Sequence, residues 1–292
     1  MRIAIYGREF NEKYDVAIQT LVNILDQKNV ELIIYEKFYH FLKQRIKNIA
    51  QHTTFSTHNE INGQIDFMLS IGGDGTLLDT LMFIRDSNVP IIGFNTGRLG
   101  FLSTVSLNET ESAVDALINN QFTLDKRNLL RLETQSNLFD NVNFALNELT
   151  VHKKDSASMM TIHAYVNGDY LNSYWADGII VSTPTGSTAY SLSCGGPIII
   201  PGSENFIITP IAPHNLNVRP VVLPSDNVIT LKFEGRSKKY LVALDSRTET
   251  VSSVEELTIR KEKFKVNLIR LNGHDFLTTL RNKLMWGLDL RN

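Results

Sequence analysis

The chain has 292 residues, a formal net charge of -2 and one cysteine, Cys194; the length predicts two domains. The near-neutral charge, without a dense Lys/Arg cluster, argues against a nucleic-acid partner, and a lone thiol excludes an internal disulfide and a multi-cysteine metal site. No apolar run nears the ~20 residues of a membrane span, and the chain opens on a strand-like run with no signal peptide ahead of it, so no membrane contact and a cytoplasmic location are expected.

The first third alternates short apolar runs with helix-period segments, the pattern of βαβ units building a parallel sheet. Ile3 to Tyr6 reads as the first strand. Asp15 reads as the cap of a helix with Val16, Ile18, Leu21, Val22 and Leu25 on one face, ending near Lys28. Glu31 to Tyr35 returns as strand, a helix runs through Phe41, Leu42 and Ile46, and His52 to His58 form a polar, solvated loop. Phe67 to Ser70 is strand, Leu77 to Ile84 helix and Pro90 to Phe94 strand. Asn108 and Glu111 read as a capping box opening the helix Ser112 to Ile118.

From about Phe122 the period becomes alternating. Asn167-Gly168 marks a tight hairpin between Ile162 to Val166 and Tyr170 to Tyr174. Gly235 similarly punctuates Val228 to Phe233 and Tyr240 to Leu244. Leu257 to Arg260 and Phe264 to Leu271 are further strands, and Asp275 to Leu284 is helical. The expected organisation is an N-terminal α/β domain over 1–121, joined by a returning helix within 272–292, and a β-rich domain over 122–271.

The strand ending at Ile71 runs into Gly72-Gly73-Asp74-Gly75-Thr76 and then a helix, so the glycines sit at the carboxyl end of a parallel strand, where open α/β sheets bind ligands. Glycines bring backbone N–H groups close to an anion at a helix amino terminus, although a plain turn into a helix uses the same residues. Asp74 tips the reading toward chemistry, because a carboxylate inside an anion-attracting loop is unhelpful unless a metal or a reacting hydroxyl needs it. The loop matches neither GxxxxGK[ST] nor GxGxxG, which weakens the Walker-type and hydride-transfer readings.

Gly-Gly-Asp-Gly-Thr after a strand resembles the loop shared by NAD kinases, diacylglycerol and sphingosine lipid kinases and, more distantly, 6-phosphofructokinases. The run from Asp177 to Ser193, continuing into Gly195-Gly196-Pro197, closely resembles the second signature of NAD kinases. Asn95 to Leu102 and the pair Asn147-Glu148 agree with it. The chain is therefore identified as resembling the NAD kinase family along nearly its whole length, with a Rossmann-like α/β domain and a sandwich-like, mostly β domain as the implied fold.

The same residues suit a dinucleotide. Asn147 carries a donor and an acceptor side by side, the complement of an adenine edge, and Glu148 can accept from ribose hydroxyls. The resemblance implies that Thr188 joins Asn147 at adenine, Phe101 packs on the base, and Tyr190 lies along the ligand with Ser191 and Ser193 nearby. It places Asp177 and Ala212 toward the nicotinamide, with Gly75 and Ala189 also facing NAD. Each has a plain alternative: aromatic packing for Phe101 and Tyr190, helix capping for Thr188 and Ser191, an ordinary turn for Asn147-Glu148. Arg247 stands where many relatives carry Gln, within reach of a ligand phosphate or of a surface acid. Trp175 reads either as a base platform or as part of a subunit contact.

The implied reaction moves a phosphoryl group from ATP to the adenosine ribose 2′-hydroxyl of NAD. Gly72, Gly73, Gly75 and Thr76 hold donor phosphates through backbone N–H groups, a divalent cation, expected to be Mg²⁺, bridges phosphate oxygens, and Asp74 accepts the hydroxyl proton. No protein side chains are assigned to the metal. Ser187 is not in a GxSxG elbow, and the histidines form no HExxH set. The resemblance implies a homodimer or homotetramer. The rival readings are a lipid kinase, which needs an exposed apolar or basic membrane face, and a non-catalytic nucleotide sensor, which would not need Asp74.

Overall fold

The computed structural model describes residues 1–47, 49, 51–97, 99–154, 160–235, 239–252 and 254–286. The chain divides into two compact units, Met1–Lys126 with the segment from Val266 onward, and Arg127–Lys265. The change of period near Gln121 coincides with the start of a long strand, Phe122–Glu133, that carries the chain from the first unit into the second.

The first unit is built on parallel strands. In sheet order, Leu268 of the strand Leu257–Leu271 pairs with Ile91–Asn95, followed by Phe67–Ile71, Arg2–Gly7, Glu31–Tyr35 and Thr53–Phe55. Every residue of Phe67–Ile71 and Ile91–Asn95 is buried, so these strands read as continuous apolar runs and not as alternation. The helices Asp15–Gln27, Glu36–Arg45 and Thr110–Ile118 contribute Ile18, Leu21, Leu25, Phe38, Leu42, Val114 and Leu117 to one core with Ile3, Ile5, Ile34, Leu69 and Ile92.

Several details depart from the sequence reading. Asp15 is the first helical residue rather than the cap, and its carboxylate pairs with Arg45 at 2.9 Å. Val16 is 79% exposed, because the buried stripe begins at Ile18. Ile46 follows its helix as an extended cap. The capping box lies earlier than expected: Ser106 and Glu109 close it on the turn Leu107–Glu109, and the helix starts at Thr110. His52 to His58 is not a solvated loop, since it contains the edge strand Thr53–Phe55 and the His52 side chain is only 9% exposed.

The second unit is antiparallel. Asp169–Ala176, Met160–Val166, Ile229–Gly235 and the first residues of Leu257–Leu271 form one run of neighbours. The other sheet has six strands, ordered Val221–Pro224, Asn205–Ile211, Gly178–Ser182, Glu148–Lys153, Lys239–Leu244 and Arg247–Ser252. Ile162, Tyr174, Leu231 and Ile259 from the first run share a single core with Val151, Val181, Ile208 and Val242 from the second sheet, as in a sandwich. The Asn167-Gly168 hairpin has positive φ at both residues (52° and 90°), a turn whose twist matches its strands. Ile229–Gly235 and Lys239–Leu244 pair in different sheets, so Gly235 does not sit in a hairpin. The two strands expected between Leu257 and Leu271 are one.

The exposure difference on the first helix is directly testable. Val16→Ala should change the unfolding free energy by less than about 0.5 kcal/mol, whereas Leu25→Ala, at a fully buried position, should cost about 2–5 kcal/mol in urea titrations. Equal losses would mean that the helix faces the core with a different stripe.

Candidate functional site

In the first unit the strand Phe67–Ile71 ends at the glycine loop and the helix Asp74–Ile84 begins at once, with Gly73 as its N-cap. A Cβ on Gly72 would lie 2.2 Å from the Thr76 hydroxyl oxygen, so the first glycine is needed for the chain to double back on itself. Gly73 and Gly75 meet nothing within 4 Å. They are exposed, and among the described residues the amides of Gly73, Asp74 and Gly75 have no protein acceptor. Three N–H groups at a helix amino terminus therefore have no acceptor among the described residues, an arrangement suited to an anion. Thr76 is nearly buried, and its own amide bonds the Gly73 carbonyl at 3.0 Å.

The Asp74 carboxylate does not stand free in this loop. Its Oδ2 accepts the Phe101 amide at 2.8 Å, and its Oδ1 accepts those of Leu102 and Ser103 at 3.0 and 2.9 Å. Gly100 makes this possible, because a Cβ there would lie 1.9 Å from Oδ1. An ionised carboxylate offers about four lone-pair directions; three are taken, and one on Oδ2 remains among the described residues. The electrostatic puzzle of an acid in an anion-attracting loop is thus partly answered by structure: the acid anchors the next loop to the helix start. Phe101 is half-buried, its ring 6.2 Å from that of Phe276 and 5.5 Å from the Lys283 ammonium, which also donates to the Leu99 carbonyl at 2.7 Å.

The second unit repeats the device with a residue that the sequence reading did not assign. Asp245, in a left-handed turn between strands (φ 52°), accepts the amides of Leu146, Asn147 and Glu148 at 2.9, 2.9 and 3.2 Å. The segment is gripped from the other side as well. Thr183 donates its amide to the Asn147 carbonyl at 2.9 Å and its hydroxyl to the Leu146 carbonyl at 2.5 Å. Gly186 lies so close that a Cβ would sit 2.1 Å from the Asn147 carbonyl oxygen. Backbone contacts thus fix Asn147-Glu148, while the Asn147 side chain makes no hydrogen bond among the described residues. Arg247 has a task the sequence did not suggest: it donates to the carbonyls of Val142 and Phe144 and lies 5.8 Å from the rings of Phe139 and Phe144.

The remaining expected residues fall into two groups. Asp177 pairs with Lys153 at 2.5 Å and donates its amide to the Ile211 carbonyl, next to Ala212, which is held at φ 44°. Tyr190 is 38% exposed and stacks on His152 at 5.8 Å. The Asp177 charge acts on both His152 and Tyr190. Thr188 bonds the Thr185 carbonyl at 3.2 Å, as a residue closing a single turn does, and Ala189 follows it half-buried. Ser191 is fully buried, with its hydroxyl on that of Thr209 at 2.9 Å, whereas Ser193 is exposed. Trp175 is 50% exposed, 4.9 Å from His214. Sequence reasoning missed Asp245, Gly100, Thr183 and Arg127, the last donating to the Thr185 hydroxyl at 3.1 Å. An Asp in the tight turn that follows the apolar strand Lys239–Leu244 was the available signal for Asp245.

Burial governs the acids here. Glu148 is pushed up to about 8, first by burial and then by the neighbouring Asp245 charge, and its Oε2 is a buried oxygen with no partner. Asp245 is itself raised by burial, against which the three amides and Arg247 act. Burial lowers His152, with the Asp177 charge working the other way. Among the described residues no group of three or more His, Cys, Asp and Glu side chains is arranged to hold a metal.

The raised Glu148 makes stability pH-dependent. The unfolded chain loses this proton near 4.5 and the folded chain near 8, so between those values the folded state binds more protons and stability falls as pH rises. Thermal melts from pH 5 to 8 should show a steeper decline for the parent than for Glu148→Gln; parallel curves would contradict the burial argument.

Residues 5–122 match the model of the ATP-NAD kinase N-terminal domain, and residues 146–271 that of the ATP-NAD kinase C-terminal domain. The chain is 50% identical over 293 residues to an NAD kinase of Cytophaga hutchinsonii, with 100% of both chains covered. It is 47% identical over 295 residues to one of Flavobacterium psychrophilum, again covering 100% of each. The crystal structure of an NAD kinase from Archaeoglobus fulgidus in complex with ATP aligns with a TM-score of 0.73 at 26% identity, covering 98% of both chains. Yeast NADH kinase complexed with NADH aligns at a TM-score of 0.87 and 22% identity, over 98% of this chain and 88% of that one, a likeness of fold. With the glycine loop, the anchored Asp74 and the Asn147-Glu148 segment in place, these matches identify the chain as a member of the ATP-NAD kinase family.

Proposed function

We propose that the chain catalyses phosphoryl transfer from ATP to the adenosine ribose 2′-hydroxyl of NAD, with Asp74 as the proton acceptor. The observation that carries this reading is a single loop holding three open amides and a carboxylate fixed by three others. Phosphoryl transfer asks the protein mainly to position its partners and offset phosphate charge. The amides of Gly73, Asp74 and Gly75 suit donor phosphates, and the remaining lone pair of Asp74 Oδ2 suits an incoming hydroxyl. Asp74 is an ordinary type of base, so its contribution is orientation and late proton removal, roughly 10² to 10⁴ in rate.

In the second unit, the Asn147 amide is the candidate for the adenine edge, with Thr188 beside it. Glu148 takes a different role from the one its sequence suggested. With a pKa of about 8 it is protonated at neutral pH, so its carboxyl donates one hydrogen bond and accepts others, which matches a ribose hydroxyl that does both. Phe101, Tyr190, Ala189, Ser193, Asp177 and Ala212 are assigned to NAD by resemblance. Ser191 is buried against the Thr209 hydroxyl and Arg247 holds the carbonyls of Val142 and Phe144. A divalent cation, Mg²⁺, would enter with the triphosphate and offset its charge, and no protein side chains are assigned to it. A homodimer or homotetramer in the cytoplasm completes the proposal. No helix among the described residues is long and apolar enough to cross a membrane.

A coupled assay with ATP and Mg²⁺, offering NAD, NADH or a diacylglycerol, should form NADP from NAD; phosphorylated lipid alone would overturn the assignment. Asp74→Asn should lower kcat by roughly 10² to 10⁴. It should also lower Tm by several degrees, because the amide side chain presents an NH₂ where a backbone N–H now finds an oxygen, a loss of about 1–3 kcal/mol. Turnover within a few-fold of the parent, alongside that Tm loss, would reduce Asp74 to an anchor.

A further inference from the structure

We propose that the outer face of the second unit carries a hydrolytic site, in which Ser173 attacks activated carboxylic esters with His163 as its base. The site is independent of the kinase reading and uses none of the residues assigned there. Asp169–Ala176, Met160–Val166 and Ile229–Gly235 are antiparallel neighbours in that order, so side chains from three strands meet across them. Ser173 lies opposite His163, with its hydroxyl oxygen 2.6 Å from His163 Nδ1. His163 Nε2 is 3.1 Å from a carboxylate oxygen of Glu234 on the third strand.

The direction of these bonds follows from the groups themselves. An ionised carboxylate only accepts, so Glu234 takes the Nε2 proton and Nδ1 is left as the acceptor for the Ser173 hydroxyl. Nucleophile, base and orienting acid are therefore each within hydrogen-bonding reach of the next, the arrangement that activates a serine for acyl transfer. A polar pair that served only the sheet would need no third group.

A fourth group is brought in by a break in the pairing. Ile162, Ala164 and Tyr174 are buried in the core, which puts His163 and Ser173 on the other face of the sheet. Residues three apart on a regular strand point to opposite faces, so Tyr170 would turn away from Ser173. A bulge prevents this: Ala164 pairs with Asn172 but Tyr165 with Tyr170, which leaves Leu171 as the extra residue. Tyr170 thereby returns to the outer face, 61% exposed, with its hydroxyl 2.7 Å from the Ser173 oxygen. The Tyr165 ring meets it edge-on at 5.8 Å, and the Lys232 ammonium lies 5.5 Å from the Tyr165 ring. A phenol this close to the attacking atom is placed to donate to the oxyanion that forms on the ester carbonyl.

In the first step the Ser173 oxygen bonds to the carbonyl carbon and its proton passes to His163 Nδ1, while Glu234 steadies the imidazolium. The carbonyl oxygen takes up the electron pair and accepts from Tyr170. Its collapse breaks the bond to the leaving alcohol, which receives the proton from His163. Water then attacks the acyl-serine with the same base, releasing the acid and restoring the hydroxyl. The His163 and Glu234 side chains are 27% and 77% exposed, an open setting that admits small acyl groups and demands a good leaving group.

Hydrolysis of p-nitrophenyl acetate by the full chain tests the site, together with peptide mapping after treatment with diisopropyl fluorophosphate. The parent should turn over repeatedly and carry the phosphoryl adduct on Ser173. Ser173→Ala and His163→Gln should each lower ester turnover by roughly 10², the scale of general base catalysis, and Tyr170→Phe by at least roughly tenfold. All three should keep NADP formation within about twofold, since substitutions on an exposed face disturb the fold little. Asp74→Asn should keep ester hydrolysis while losing NADP formation, which separates the two activities. Ester turnover in Ser173→Ala close to the parent's, or an adduct on residues other than Ser173, would overturn the proposal. A lowered Tm in Ser173→Ala with ester turnover intact would reduce the cluster to cross-strand pairing.

Discussion

One carboxylate accepting three consecutive backbone amides sets the geometry of the glycine loop. Asp74 joins the start of its helix to Phe101, Leu102 and Ser103, so neither the helix amino terminus nor the following loop can shift without breaking charge-assisted bonds, each stronger than a neutral one. The glycines around it divide the work. Gly72 and Gly100 are glycines because a side chain would strike Thr76 and Asp74, whereas Gly73 and Gly75 face open space and are glycines for whatever approaches from outside. A loop that is tight on the protein side and empty on the other is pre-organised, since the cost of ordering it is met in folding and not when the ligand binds.

Asp245 applies the same solution to a different loop. Its three amide partners hold Leu146, Asn147 and Glu148 in register, and its charge adds to the burial of Glu148 itself in raising that neighbour's acidity threshold. Both acids are raised, Asp245 by burial that outweighs its three backbone donors and Arg247, and Glu148 by burial and the Asp245 charge, so the two do not both ionise cheaply. The orphaned Glu148 oxygen then becomes a feature of the site, because a buried polar atom without a partner is tolerated where a ligand later supplies one.

The fold was legible where side-chain period decided it. The buried strands Phe67–Ile71 and Ile91–Asn95 and the Asn167-Gly168 hairpin lie within a residue or two of where apolar runs and turn chemistry put them. Local signals misled where tertiary contacts took over. Val16 fits the helical stripe by spacing yet faces solvent, and the polar composition of His52 to His58 hides an edge strand that pairs with only one neighbour. Ser106 and Glu109 outcompete Asn108 and Glu111 because the helix gains an extra turn ahead of it.

At the site, the motifs named Asp74 and Asn147-Glu148 but not what holds them. Asp74 looked like an acid out of place because its three amides come from residues 27 to 29 positions away, a separation no local pattern reports. Asp245, about 100 positions from its partners, was hidden for the same reason, and attention fell on its neighbour Arg247. Glu148 shows the reverse limit: the sequence names an acid beside Asn147, while its protonation depends on burial that the sequence does not display.

The most direct measurement is a crystal structure of the chain with NAD and a non-hydrolysable ATP analogue. The account predicts Asp74 Oδ2 within about 2.6–3.2 Å of the adenosine ribose 2′-oxygen, with the bonds to Phe101, Leu102 and Ser103 intact and the γ-phosphate on the amides of Gly73 and Gly75. A 2′-oxygen out of hydrogen-bonding reach of Asp74, or a carboxylate that must abandon its amides to reach it, would contradict the claim that the anchored acid is also the base.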